Sequence, residues 1–163
     1  MTDVFQHIIF GSLISTLIGS LFSVIIAFEI ITKKSKIKYQ SLYFFNEVMI
    51  VGGLMLLWYY IENLLMLFSI LTILSFLYQI YKLLVGIYSM DKRFRLLILS
   101  LGTNHNEYSL FILEKNLGKL FGNLLKFYTL TLISFFASLT PFAVNIGFFS
   151  LIVGLFLSLL QVD

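Results

Sequence analysis

Residues 90–127 read MDKRFRLLILSLGTNHNEYSLFILEKNLGKLFGNLLKF and form the long polar interruption of an otherwise apolar chain. More than half of the chain's 11 Lys and Arg residues lie in this stretch: Lys92, Arg93, Arg95, Lys115, Lys119 and Lys126. Positive charge of this density beside apolar runs is typical of a cytoplasmic loop that flanks a membrane span. The stretch is therefore predicted to lie on the cytoplasmic face of a membrane.

The rest of the chain is too apolar for a water-soluble domain. Of its 163 residues, 60% are hydrophobic and 12% are charged, about half the charged fraction that is usual in soluble proteins. Apolar runs of about 20 residues satisfy their own backbone hydrogen bonds as helices in a bilayer. The sequence predicts an all-α fold, a polytopic transmembrane helical bundle that forms a single domain over residues 1–163 with a cytoplasmic loop at 90–126.

The apolar runs predict about five spans in the cell inner membrane. Segment 32–40 is rich in lysine and has no acid, so the positive-inside rule places it in the cytoplasm and the N-terminus outside. Pro141 lacks a backbone donor and predicts a break before the last span, which is short enough that it could cross only half of the bilayer. The predicted spans are 5–31, 41–61, 64–88, about 127–140 and 148–161.

Small residues recur every four positions along the first span, at Gly11, Ser15, Gly19 and Ser23. This spacing places them on one helix face, where small side chains let another helix approach closely in lipid. The favoured partner is another helix of the same chain, because such stripes are common inside bundles. The alternative is the same helix of a second copy in a homo-oligomer.

Glu47 is an acidic residue inside the predicted second span. An ionisable side chain at such a depth is by default a functional candidate. Glu47 also lies near the cytoplasmic end of the span, where it could pair with Lys36 or Lys38. We favour this structural interpretation, because long lysine side chains reach from the interface toward such an acid.

The second half of the polar stretch has the period of an amphipathic helix. The apolar positions are Leu110, Leu113, Leu117, Leu120 or Phe121, and Leu124. The opposite face is predicted to contact water and carries Ser109, Glu114, Lys115, Asn116, Lys119 and Asn123. A helix of this kind at a membrane surface is suited to contact a partner protein.

The segment Leu101-Gly102-Thr103, followed by Leu110, Leu113 and Gly118, resembles the cytoplasmic coupling loop of ABC-importer permeases of the tungstate or molybdate type. Leu96, Leu97 and Ile98 stand where that family has Glu-Ala-Ala. The resemblance implies a permease subunit for a small anion that acts as a homodimer. It also implies a separate ATPase that docks on the loop, and a substrate-binding protein.

Two other interpretations remain open. Residues 119–124, KLFGNL, resemble a segment of the proton-channel subunit of rotary ATP synthases, although Lys119 stands where that family has arginine. Arginine and lysine are not equivalent at such a site, because lysine readily loses its charge when buried. The second interpretation is a structural accessory subunit of a larger membrane complex.

The sequence contains no signature of catalysis or of a cofactor. There is no cysteine, and neither His7 nor His105 has a partner at metal-ligand spacing. No glycine-rich loop ends in Lys-Ser or Lys-Thr, so the chain is not expected to hydrolyse ATP itself. The net charge of +3 arises from loops that flank spans, so we expect the lipid bilayer and not nucleic acid as a partner.

Overall fold

The computed structural model describes residues 2–33, 46–88, 96, 98, 100, 102 and 104–160. This part of the chain is helical apart from its turns, and the predicted all-α fold is confirmed. The five long helices are α1 (Thr2–Thr32), α2 (Glu47–Tyr60), α3 (Leu64–Tyr88), α4 (His105–Ser138) and α5 (Ala143–Leu160).

Polar residues and one proline set the ends of these helices. The Asn46 side chain accepts a hydrogen bond from the Met49 amide and so caps α2. Asn63 does the same for the first turn of α3, in the short gap between the predicted spans 41–61 and 64–88. At the start of α4, the Glu107 carboxylate accepts a hydrogen bond from the backbone N–H of Asn104. Pro141 lies in the turn between α4 and α5, where the predicted break occurs.

The helices form two pairs with α4 between them. In the first pair, α1 and α3 run parallel, since Gly19 lies against Ser75 and Ala27 packs on Leu83 further along both helices. In the second pair, α2 and α5 run antiparallel and approach closely at Gly52 and Gly147. Helix α4 contacts α1, α2 and α3 and therefore joins the two pairs.

The two ends of the bundle differ in chemistry. At one end, the aromatic end, rings from three helices meet: Phe5 contacts Phe135 and Phe136, and Trp58 contacts Phe135 edge-on at 5.0 Å. At the other end, the basic end, α1 finishes beside Lys33 and α4 begins, and Thr32 is hydrogen-bonded to Ser109. Tyr59 and Tyr60, the last two residues of α2, lie at the aromatic end as well.

The exposed side chains differ from those of a soluble protein. Large apolar side chains are exposed on every long helix; examples are Phe10, Leu65, Phe121 and Phe149. The buried polar side chains of the described residues are Ser12, Ser15, Thr16, Ser20, Ser23, Ser75, Gln79, Ser109, Asn116, Thr131, Ser134, Ser138 and Ser158. Lipid accepts exposed apolar side chains, whereas small polar residues favour helix contacts.

Four of the described helices, α1, α3, α4 and α5, are long and apolar enough to cross a membrane, as a multi-pass membrane protein requires. Helix α3 has the predicted bounds. Helix α5 has 18 residues and starts earlier than predicted, and α2 has 14 residues after a segment outside the described part. With 34 residues, α4 is about 51 Å long, well beyond the roughly 30 Å of a bilayer core.

Candidate functional site

Three charged side chains from three helices meet at one point of the bundle. The same carboxylate oxygen of Glu47 on α2 lies 2.6 Å from the Lys126 ammonium on α4 and 3.4 Å from the Lys82 ammonium on α3. We call these three residues the charge cluster. With two cations and one anion, it carries one net positive charge when all three are ionised.

The charge cluster lies next to the apolar core that joins α2, α3 and α4, on the side of the basic end. Ile50, Tyr78 and Phe127 belong to that core, and each is within about one helical turn of a cluster residue on its own helix. Tyr78 and Phe127 pack with ring centroids 5.5 Å apart. The apolar core thus fixes the three backbones whose charged side chains converge below it.

Lys82 is held from more than one side. Its ammonium lies 5.7 Å from the Tyr78 ring centroid and 5.8 Å from that of Tyr81, within the distance at which a cation is attracted to an aromatic face. The Tyr78 hydroxyl is buried and has no hydrogen-bond partner in the described structure. The lysine ammonium therefore lies between a carboxylate and two aromatic rings.

The helices also set the depth of the charge cluster. Helix α2 runs from Glu47 to the aromatic end at Tyr60, so its 14 residues place Glu47 about 20 Å from that end. Tryptophan and tyrosine concentrate at membrane interfaces, and a bilayer core is about 30 Å thick. With α2 along the membrane normal and Tyr60 at the interface, the cluster lies about two-thirds of the way through the core, on the side of the basic end. Its side chains are 30–49% exposed.

The sequence singled out Glu47 but not its partners. The predicted partners Lys36 and Lys38 lie outside the described residues. Among the described residues, Lys82 and Lys126 hold the carboxylate. Charges at membrane depth are usually paired with one another, and this rule could have identified the two lysines as partners of Glu47.

The small-residue stripe of α1 lies against α3 of the same chain at two of its four positions. A Cβ atom at Gly11 would lie within 2.2 Å of the Phe68 ring, and one at Gly19 within 2.7 Å of the Thr72 carbonyl. Ser15 and Ser23 are buried as well. At both glycines, α1 therefore packs against another helix of the same chain, which was the favoured prediction.

A second close contact between helices was not predicted. On α5, Gly147 lies beside the Leu56 side chain, and Gly154 lies against the backbone of Met49. The Ser150 hydroxyl donates to the Val48 carbonyl at 2.7 Å. The available signal was the spacing of Gly147, Gly154 and Ser158 along one face of the last span.

Polar side chains also contact the backbone of neighbouring helices in the interior. The Ser75 hydroxyl donates to the Thr16 carbonyl, and the Ser134 hydroxyl lies 3.5 Å from the Val51 carbonyl. Many other buried hydroxyls donate within their own helix, as Thr131 does to Phe127. The Gln79 amide is fully buried, and neither of its polar atoms has a partner in the described structure.

The residues of the predicted coupling loop are dispersed. Leu101 and Thr103 lie outside the described residues, and Gly102 is an exposed turn residue with φ +87°, a conformation that glycine adopts readily. Leu110 and Gly118 are exposed on α4, whereas Leu113 packs beside Ala27 and Leu83. Gly118 has open space where a Cβ atom would lie.

The predicted water-facing side of the amphipathic segment was wrong at two of its six positions, whereas Glu114, Lys115 and Lys119 are exposed as predicted. Asn116 and Ser109, assigned to water, are buried, and Leu110, Leu117 and Phe121 of the apolar face are exposed. The physical reason is that lipid solvates leucine as well as another helix does, so helix contacts select small or hydrogen-bonding residues. The buried face of α4 comprises Tyr108, Ser109, Ile112, Asn116, Leu120, Leu124, Phe127, Thr131, Ser134 and Ser138.

The site contains no group of acidic, histidine or cysteine side chains that could hold a metal ion among the described residues. A groove of about 270 Å³ between α1 and α3 is lined by Phe22, Ile26, Thr72, Ile73 and Phe76. These side chains offer an apolar surface and no charge. Comparison with known proteins gives no further guide, because no family model, no curated protein and no solved structure matches the chain.

Proposed function

We propose that this protein is the membrane-embedded permease subunit of an ABC-type transporter for a small anion in the inner membrane. In this proposal a separate ATPase acts on it through residues 90–126. The observation that carries the proposal is the continuity of α4, which runs from His105 to Ser138 without a break. One helix therefore joins the basic end to the aromatic end.

The two halves of α4 are suited to different tasks. The first half presents exposed charged side chains at Glu114 and Lys119, which can steer and orient a soluble partner of complementary charge. The second half carries Lys126 and Phe127, which contact the helices of both pairs. A force applied to the first half would move these contacts, because a continuous α-helix transmits displacement along its axis.

The anion path of such a transporter would lie between two copies of the chain. Within one copy, the α1–α3 contact is closed at Gly19 and the α2–α5 contact at Gly52, where a single added methyl group would clash with backbone atoms. Helices this close leave no room for a solute between them. A homodimer provides the required interface, and the substrate-binding protein would act at the aromatic end.

Co-purification tests this proposal. The tagged full-length chain would be isolated from its native membranes in mild detergent, and ATP hydrolysis would be measured in the eluate. We expect hydrolysis with the unmodified chain and with Glu62→Lys at the aromatic end, and its loss with Lys119→Glu. No ATPase activity in the eluate, or equal activity with Lys119→Glu, would refute the permease assignment.

An accessory subunit of a larger membrane complex is the second candidate. It is favoured by the close intrachain contacts, because a subunit with a purely structural role needs no path through or beside it. On native gels of solubilised membranes, this candidate predicts co-migration with a large complex that lacks an ATP-binding component. The permease candidate predicts a smaller assembly that contains an ATP-binding component.

A further inference from the structure

We propose that Lys82 and Lys126 of the charge cluster bind the phosphate of an anionic phospholipid. This inference is independent of the transport proposal, since either candidate function is compatible with it. In the charge cluster, one carboxylate oxygen is shared by two ammonium groups.

One positive charge at this point is not neutralised by the other described charges. Lys33 pairs with Glu29 at the end of α1, and the described ion pairs include no second acid at Lys82 or Lys126. A net charge at membrane depth is costly unless a counter-ion lies close by. The headgroup of an anionic lipid supplies one negative charge from the bilayer itself.

The position of the cluster fits a headgroup of the leaflet at the basic end. The ammonium groups stand about two-thirds of the way through the bilayer core, and lysine side chains of this length extend toward the nearer interface. The Lys82 and Lys126 side chains are 30% and 49% exposed, so a headgroup can reach both. Basic sites between spanning helices are known to bind acidic headgroups in this way.

Native mass spectrometry of the intact chain tests the inference directly. The purified protein in neutral detergent would be titrated with phosphatidylglycerol, with zwitterionic phosphatidylcholine and with inorganic phosphate. We expect retained phosphatidylglycerol and no comparable retention of the other two. Equal retention of phosphatidylcholine would overturn the proposal, and so would equal binding of inorganic phosphate, which would show that the site takes a free anion.

Variants then locate the site. Lys82→Gln or Lys126→Gln should each weaken phosphatidylglycerol binding about five-fold, and Lys126→Arg should preserve it because the charge is kept. Lys119→Gln is the matched control, since it lies two turns earlier on the same face of α4 and is exposed. If Lys119→Gln weakened phosphatidylglycerol binding equally, the binding would reflect general electrostatic attraction. That result would contradict a site at the charge cluster.

Glu47→Gln separates lipid binding from a purely structural role of the cluster. Loss of the carboxylate removes the competing anion, so we expect phosphatidylglycerol to bind about five-fold more tightly. A cluster that served only to hold the helices together would show no change in lipid binding once its acid was lost. Unchanged or weaker binding by a Glu47→Gln protein with unchanged helix content would therefore overturn the proposal.

Discussion

At the residue scale, the smallest side chains determine which helices touch. Gly19 lies against backbone atoms of α3, and Gly154 lies against the backbone of α2. Leucine and phenylalanine cannot make this selection in lipid, because the hydrocarbon around them is equally apolar. This is why the exposed surface of the protein is apolar while its helix contacts are rich in glycine and serine.

Gly19→Ala tests the α1–α3 contact. The added Cβ atom would lie 2.7 Å from the Thr72 carbonyl and 2.8 Å from the Phe76 amide nitrogen, and backbone atoms cannot move aside cheaply. We expect a loss of about 1–3 kcal/mol in the free energy of unfolding, as for other overpacked sites. Unfolding in mixed micelles, followed by circular dichroism, would measure it.

Gly53→Ala is the control for this effect. It has open space around its Cβ position, and alanine is favoured over glycine in a helix by about 1 kcal/mol. We expect it to be neutral or slightly stabilising. Equal destabilisation by both substitutions would show that the Gly19 contact is not specific.

A double-mutant cycle with Glu47→Gln and Lys126→Gln measures the ion pair in the charge cluster. The two side chains are 37% and 49% exposed, so solvent screening limits the coupling to about 0.5–1 kcal/mol. The cycle would be measured by chemical unfolding in a neutral detergent. A coupling energy of zero would mean that the two groups do not interact in the folded protein.

At the element scale, α4 is the helix that the sequence predicted least well. Its second half was predicted as a span and its first half as a surface segment, since charged residues occur up to Lys126. The structure joins the two halves because the first half also has a place to pack: Ile112 contacts the end of α1 and Leu120 contacts Ala27. Periodicity predicted the helix but could not reveal which face α1 and α3 would cover.

A pair of cysteines can trap this packing. The Thr32 and Ser109 hydroxyl oxygens lie 3.0 Å apart, and the chain has no cysteine of its own. We expect Thr32→Cys with Ser109→Cys to form a disulfide under mild oxidation, detectable as a mobility shift reversed by reductant. Thr32→Cys with Leu110→Cys should not form one, because Leu110 is exposed on another face.

A disulfide in the control pair, or none in the first pair, would contradict the packing of α4 on α1. It would instead favour an amphipathic segment that lies free at the membrane surface. Such a segment has no fixed contact with the end of α1. The disulfide assay thus separates the two arrangements without any knowledge of function.

At the scale of the whole molecule, composition predicted the class of fold. A hydrophobic fraction of 60% cannot be buried within a chain of this size, so the excess must face lipid. The ends of α3 and the break at Pro141 were also predictable, because turns and proline act locally. The pairing of α1 with α3 and α2 with α5 was not, because it depends on contacts between residues distant in the sequence.

The functional proposal depends on the first half of α4 being the part that a partner covers. Lys119→Cys would be labelled with a membrane-impermeant maleimide, first in inverted native membrane vesicles and then after purification in detergent. Glu29→Cys on α1, whose native side chain is 61% exposed, serves as a control at the same end. We predict that Lys119→Cys is protected in native membranes and becomes reactive after purification, while Glu29→Cys reacts in both. Equal labelling of Lys119→Cys in both preparations would contradict a partner on α4.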